Sequence, residues 1–190
     1  MNKKIVLYII LIACLGALAF LFRSDKASPI NNADIKSYSN PVAGLSFTYP
    51  KKYYLEEKEV GNAERSHYVI ILTEDTEENR LVREGKSPGR DGPIAITVDI
   101  YQNNLDKQTI AGWIKNTSES NYKLSDGILA STTVAGREAF SYSFDGLYLA
   151  DSVVASFKDS IISFTVTYIN RNDQIRNDFQ SVLQSLKFLY

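Results

Sequence analysis

The chain has 190 residues, a formal net charge of −1 and a single cysteine. Near-neutral charge argues against a nucleic-acid binder, because phosphate contacts demand a clustered basic surface. The lone Cys14 lies in an apolar run, which excludes a disulfide or thiolate chemistry in the rest of the chain and decides nothing about redox compartment.

Behind the basic start MNKK, residues 5–22 (IVLYIILIACLGALAFLF) form an unbroken apolar run without charge. As a helix it reaches roughly 27 Å, close to the ~30 Å hydrocarbon core of a bilayer. Residues 1–22 are therefore expected to be a signal anchor, one N-terminal transmembrane helix that contacts the membrane through residues 5–22. Two alternatives stay open. Leu11-Ile12-Ala13-Cys14 is similar to a lipobox, with Cys14 the lipidated residue, and Ala17 and Ala19 suit a cleaved secretory signal. Lys3 and Lys4 on one side nearly balance Arg23, Lys26 and Lys36 on the other. A short amino-terminal tail before one apolar segment favours a C-terminal domain outside the cytoplasm, periplasmic or at the cell surface; lipid anchoring is the alternative.

Residues 23–37 are polar, hold Pro29 and lack periodicity, so they read as a linker. The domain is expected over residues 38–190. Leu45, Phe47 and Tyr49 alternate with Ser46 and Thr48 in a strand stopped by Pro50. Residues 67–73 (HYVIILT) make a second strand, and residues 74–92, rich in charge, Gly and Pro, an exposed excursion. Ile94, Ile96, Val98 and Ile100 alternate with Ala95, Thr97, Asp99 and Tyr101 in the cleanest strand of the chain. Asp106 is expected to cap a helix whose apolar face is Ile110, Trp113 and Ile114.

Strands follow over residues 129–134, 138–144, 148–157 and 161–169, with a turn at Ala135-Gly136. Their expected inward faces are Phe140, Tyr142 and Phe144; Val153, Ala155 and Phe157; and Ile162, Phe164, Val166 and Tyr168. Ser141, Ser143, Ser152, Ser156, Ser163, Thr165 and Thr167 then share the opposite, hydroxyl-lined face, either a ligand surface or the polar side of the sheet. A closing helix over residues 173–186 presents Ile175, Phe179, Val182, Leu183 and Leu186 as one stripe. Short connections make neighbouring strands antiparallel, giving an α+β domain with helices flanking an antiparallel β-sheet.

GLSFTYPKKYY (residues 44–54), TIAGWIKN (109–116), TTVAGREAFSYSF (132–144) and FQSVLQSLKF (179–188), in that order, resemble the PsbP-like superfamily. The resemblance covers about 150 residues and departs at Lys187, where serine often precedes the final aromatic. It implies an antiparallel sheet between helices and a non-catalytic extrinsic or binding role; many bacterial members are membrane-anchored, and the best-known member assists the oxygen-evolving side of photosystem II. Nothing matches a family metal site residue by residue, so no ligand is carried over.

Chemistry-bearing residues are sparse. His67, the only histidine, opens an apolar strand with no cysteine, second histidine or carboxylate beside it, and reads as a structural or surface side chain. Glu74, Asp75, Glu77 and Glu78 form an acidic cluster able to offer oxygens to Ca²⁺, but without the glycine and spacing of an EF-hand; a solvated charge run is the plainer reading. Gly85-Lys86-Ser87 echoes a phosphate-binding loop without its upstream glycine. The sequence therefore points to a non-enzymatic, membrane-tethered, extracytoplasmic accessory domain that docks an unidentified protein or assembly, needs no cofactor and binds no nucleic acid. A lipoprotein binding a small ligand or Ca²⁺ is the alternative, and a hydrolase with scattered catalytic residues a third reading.

Overall fold

Period-two alternation decides the architecture, because in every strand it sorts side chains onto two faces that each need a cover. The computed structural model describes residues 34–87 and 91–190. The proposed anchor, Cys14 and most of the linker lie outside those residues. Among the described residues ten strands run in order: β1 (Ile35–Asn40), β2 (Leu45–Pro50), β3 (Tyr53–Glu59), β4 (His67–Glu74), β5 (Ile96–Gln102), β6 (Ala130–Val134), β7 (Arg137–Asp145), β8 (Leu149–Phe157), β9 (Ser160–Tyr168) and β10 (Lys187–Phe188). Helices are α1 (Glu77–Arg83), α2 (Ile110–Asn116) and α3 (Gln174–Ser185). A seven-stranded sheet has the order β3-β4-β5-β9-β8-β7-β6, and a three-stranded sheet the order β1-β2-β10. All pairings are antiparallel.

Register sets the layers. Ile96, Val98 and Ile100 face Val166, Phe164 and Ile162 across β5 and β9. Together with Leu45 and Phe47 of β2 and Ile175, Phe179 and Val182 of α3, they form the main core. Phe164 and Phe179 are almost wholly buried, each contributing about 1.5–3 kcal/mol of transfer free energy. On the other face of the large sheet, Trp113 and Ile114 of α2 cover Tyr142, Val154 and Ile161.

Several expectations are corrected. Phe140, Tyr142 and Phe144 lie on the α2 side, not with Val153, Ala155 and Phe157. Pairing of Tyr142 with Ser152 and of Ser141 with Val153 fixes this. Ser141 and Ser143 consequently face the α3 side. Ser152 and Ser163 are buried, and Ser152 shares a 2.7 Å hydroxyl hydrogen bond with Thr165. Strand β1 begins at Ile35, inside the stretch read as linker, because its pairing with β2 holds it there. Thr109, not Asp106, caps α2 by accepting from the Gly112 amide at 3.1 Å. Asp106 is instead gripped by the Arg65 guanidinium.

A buried polar knot ties α3 to the start of β3. Asp178, 7% exposed, accepts from the hydroxyl of Tyr53, 0% exposed, at 2.7 Å. Its carboxylate also meets Lys52 Nζ at 2.9 Å and accepts from Gln174 Nε2 at 3.1 Å. A second tie joins α3 to the sheet, with Arg176 donating twice to Asp151 Oδ2 at 2.9 and 2.6 Å.

Candidate functional site

Two places on the domain concentrate chemistry, at opposite ends of the β4–β5 pair. The first is the connection over residues 75–95. Leu72 pairs with Ile96, so the strands it joins are direct neighbours that a tight turn is able to link. The connection instead carries α1, a helix that buries no residue. Thr76 caps α1 by accepting from the Asn79 amide at 3.2 Å, and Glu77 and Glu78 occupy its first turn, where the helix dipole favours negative charge. Gly85, at φ +68°, closes it in a Schellman arrangement: its amide donates to Val82 O at 3.0 Å and the Lys86 amide to Leu81 O at 2.8 Å. Gly85-Lys86-Ser87 thus sits at the electronegative end of a helix, the wrong end for phosphate.

The acidic cluster is drawn apart by basic neighbours. Glu74 meets Lys52 at 3.0 Å, Asp75 meets Arg83 at 2.9 Å, and Glu77 meets Arg80 at 2.6 Å. Arg80 also reaches Glu84 at 2.9 Å. Among the described residues no three metal-ligating side chains stand close enough to hold an ion. Such exposed pairs are worth about 0–1 kcal/mol each. Their effect is mainly positional. Arg83 lies 4.1 Å over the Tyr54 ring and donates to Thr73 Oγ1 at 3.2 Å, which seats α1 against β3 and β4.

The second place is a cleft of about 310 Å³ lined by Arg65, His67, Tyr101, Asp106, Trp113 and Glu119, among others. Register supplies what sequence proximity did not: His67 opposes Tyr101, and Asp99 follows one diagonal step away. His67 Nε2 lies 2.8 Å from Asp99 Oδ1, and its ring stacks on Tyr101 at 4.1 Å. Tyr101 in turn meets Trp113 at 4.9 Å, and burial pushes its hydroxyl well above the usual tyrosine range. Glu119 accepts from the hydroxyls of Thr117 and Ser118; the Thr117 bond is the main reason its carboxyl is held below the usual range. The Arg65–Asp106 pair stands at the same cleft.

This arrangement is capable of recognition through polar atoms at a rigid aromatic stack. Asp99 fixes the imidazole orientation, as a carboxylate does for a general base. Among the described residues no hydrogen bond joins His67 to a serine or threonine hydroxyl, so the pair lacks an attached nucleophile. Sequence reading missed Asp99 as the partner although both strands were legible, because only their register brings the two together. Cys14 lies outside the described residues.

No family model matches the chain, and no curated protein matches it. Among solved structures, it is similar to the solution structure of cyanobacterial PsbP (CyanoP) from Synechocystis sp. PCC 6803, with 13% identity and a TM-score of 0.51. The likeness covers 86% of this chain and 97% of that one. The fold is therefore PsbP-like.

Proposed function

We propose that this chain is a non-enzymatic accessory protein, tethered to a membrane through residues 5–22, whose extracytoplasmic PsbP-like domain docks a protein or assembly at the membrane surface. One observation carries the reading: a helix with no fully buried residue is inserted between two strands that a tight turn is able to join. A connection longer than the fold needs, and stiffened by its own cap and ion pairs, is a preorganised contact surface. The likeness to a PsbP fold adds support by analogy of fold alone. A photoreactive residue at Lys86, beside a control at Asn177 on α3, tests it in intact membranes. One discrete adduct from position 86 alone, competed by excess unlabelled protein, is the expected result. Equal labelling from both positions, or none, sinks the reading.

The His67 cleft favours a second reading, a binding site for a small polar ligand, because its fixed imidazole, carboxylates and guanidinium converge on one opening. Ligand-observed NMR with a polar fragment set separates the two readings. Hits that vanish in His67→Ala while the fold persists support the ligand site; hits that survive that change remove it.

A further inference from the structure

A strand at a sheet edge offers unpaired N–H and C=O groups to any other strand, and proteins usually blunt such edges with charge. Among the described residues, three of the four sheet edges are blunted in this way: β1 carries Lys36, β10 carries Lys187, and β3 carries Glu56, Glu57, Lys58 and Glu59. The fourth edge, β6, reads ASTTV. From Ile128 to Gly136 the chain holds no charge, no proline and no bulge in its pairing with β7. Ser131 and Thr133 are exposed, and none of the other backbone hydrogen bonds involves β6. We infer that β6 is a self-pairing edge: two copies of this chain join antiparallel along it into one continuous sheet.

The hairpin turn fixes the register of that pairing. Ala135 and Gly136 both have positive φ, +47° and +75°, as a two-residue hairpin turn of the primed type requires. Such a turn closes on a hydrogen-bonded pair, here Val134 with Arg137. Alternation then turns Val134, Thr132 and Ala130 toward β7, and the backbone groups of Ser131 and Thr133 outward. A two-fold axis at Thr132 sets Ser131 against Thr133 of the second copy and Thr133 against its Ser131. All four outward N–H groups of the two strands then find an outward carbonyl. Thr132 meets its own equivalent at the non-hydrogen-bonded centre, and hydroxyl pairs line both faces, a favourable cross-strand combination. No charge meets a like charge. Five residues bury far less than the ~800 Å² per partner of a stable interface, so the dimer is weak and reversible and responds to local concentration.

Cysteine crosslinking of the full chain in detergent, on a Cys14→Ser background, tests this. Opposed non-hydrogen-bonded residues sit at ~4.5 Å between Cα atoms, within disulfide range. Thr132→Cys is expected to dimerise under mild oxidation at least about tenfold faster than Lys58→Cys on the β3 edge. Ser131→Cys is expected to crosslink better to Thr133→Cys than to itself. Thr132→Lys and Thr132→Glu are each expected to be monomers with an unchanged melt, and an equal mixture of the two to regain the dimer. Crosslinking of Thr132→Cys at the rate of the β3 control, or a mixture that stays monomeric, overturns the inference and leaves β6 to a strand from another protein.

Discussion

Replacing Asp178 with alanine puts the buried polar knot under α3 to the test. Tyr53 is 0% exposed and its hydroxyl donates to Asp178 at 2.7 Å, so removing the acceptor strands a buried donor at a cost of about 1–3 kcal/mol. Lys52, 40% exposed, relaxes into water and onto Glu74, so its share is at most ~1 kcal/mol. Loss of packing beneath the first turns of α3 raises the sum to roughly 2–4 kcal/mol. For a domain of this size that lowers Tm by roughly 5–15 °C. Tyr53→Phe alone, with Asp178 still bound by Lys52 and Gln174, is expected to cost only about 1–2 kcal/mol. In the Asp178→Ala background the same change is expected to cost almost nothing, because the stranded hydroxyl goes with it. Urea unfolding of residues 33–190, a compact unit with its own core, reads all four corners of the cycle. Additive costs, or an Asp178→Ala loss below about 1 kcal/mol, refute the claim that this knot holds α3 in place.

Three further outcomes are expected. Burial pushes the Tyr142 hydroxyl up to about 12; a raised folded-state value means that the stability is complete below the ordinary value of 10.0 and is lost as pH rises toward the folded one, by roughly 2–3 kcal/mol. Tyr142→Phe is therefore expected to flatten the alkaline fall in urea midpoint, while losing the 2.6 Å bond to Ser120 O, worth ~1 kcal/mol at neutral pH; an unchanged alkaline slope contradicts this. Gly44, at φ +73°, leaves a substituent only 2.9 Å from Phe157 Cε1, so Gly44→Ala is expected to lose roughly 2–3 kcal/mol by combined backbone strain and displaced packing; a loss under ~0.5 kcal/mol in the same assay refutes it. Calcium has to displace Lys52, Arg80 and Arg83 from Glu74, Asp75 and Glu77, so millimolar calcium is expected to leave the melt unchanged; a rise of several degrees, as ~2.7 kcal/mol of ligand stabilisation gives at 100 Kd, restores the cluster as a cation site.

Most of the large sheet was readable because its strands alternate cleanly: Ile96, Val98 and Ile100 are buried, and the α3 stripe of Ile175, Phe179 and Val182 lies in the same core. Strand β3 was not read, since YYLEEKE buries Tyr53 and then turns to the charges that protect an edge. Helix α1 was taken as loop for a related reason. It has no apolar stripe to bury, and its signals were local ones, a Thr76 cap with acids in the first turn and Gly85 after the last. Strand β7 was assigned to the wrong side because its large residues, Phe140, Tyr142 and Phe144, mark whichever face α2 covers. Periodicity tells that residues share a face, and register alone tells which face it is.

The same distinction governs the functional surfaces and makes their tests independent. His67 opens β4 and the α1 excursion leaves its far end; across eight residues at ~3.3 Å each they stand roughly 26 Å apart. The β6 edge lies five strands from β4, roughly 24 Å at ~4.8 Å per step. Perturbations separated by more than ~10 Å with no shared partner add independently. His67→Ala is thus expected to leave labelling from position 86 and crosslinking at position 132 untouched. If it alters labelling from position 86, the change has travelled along the β4–β5 pair itself, and the excursion and the cleft are two ends of one site instead of two surfaces on a common frame.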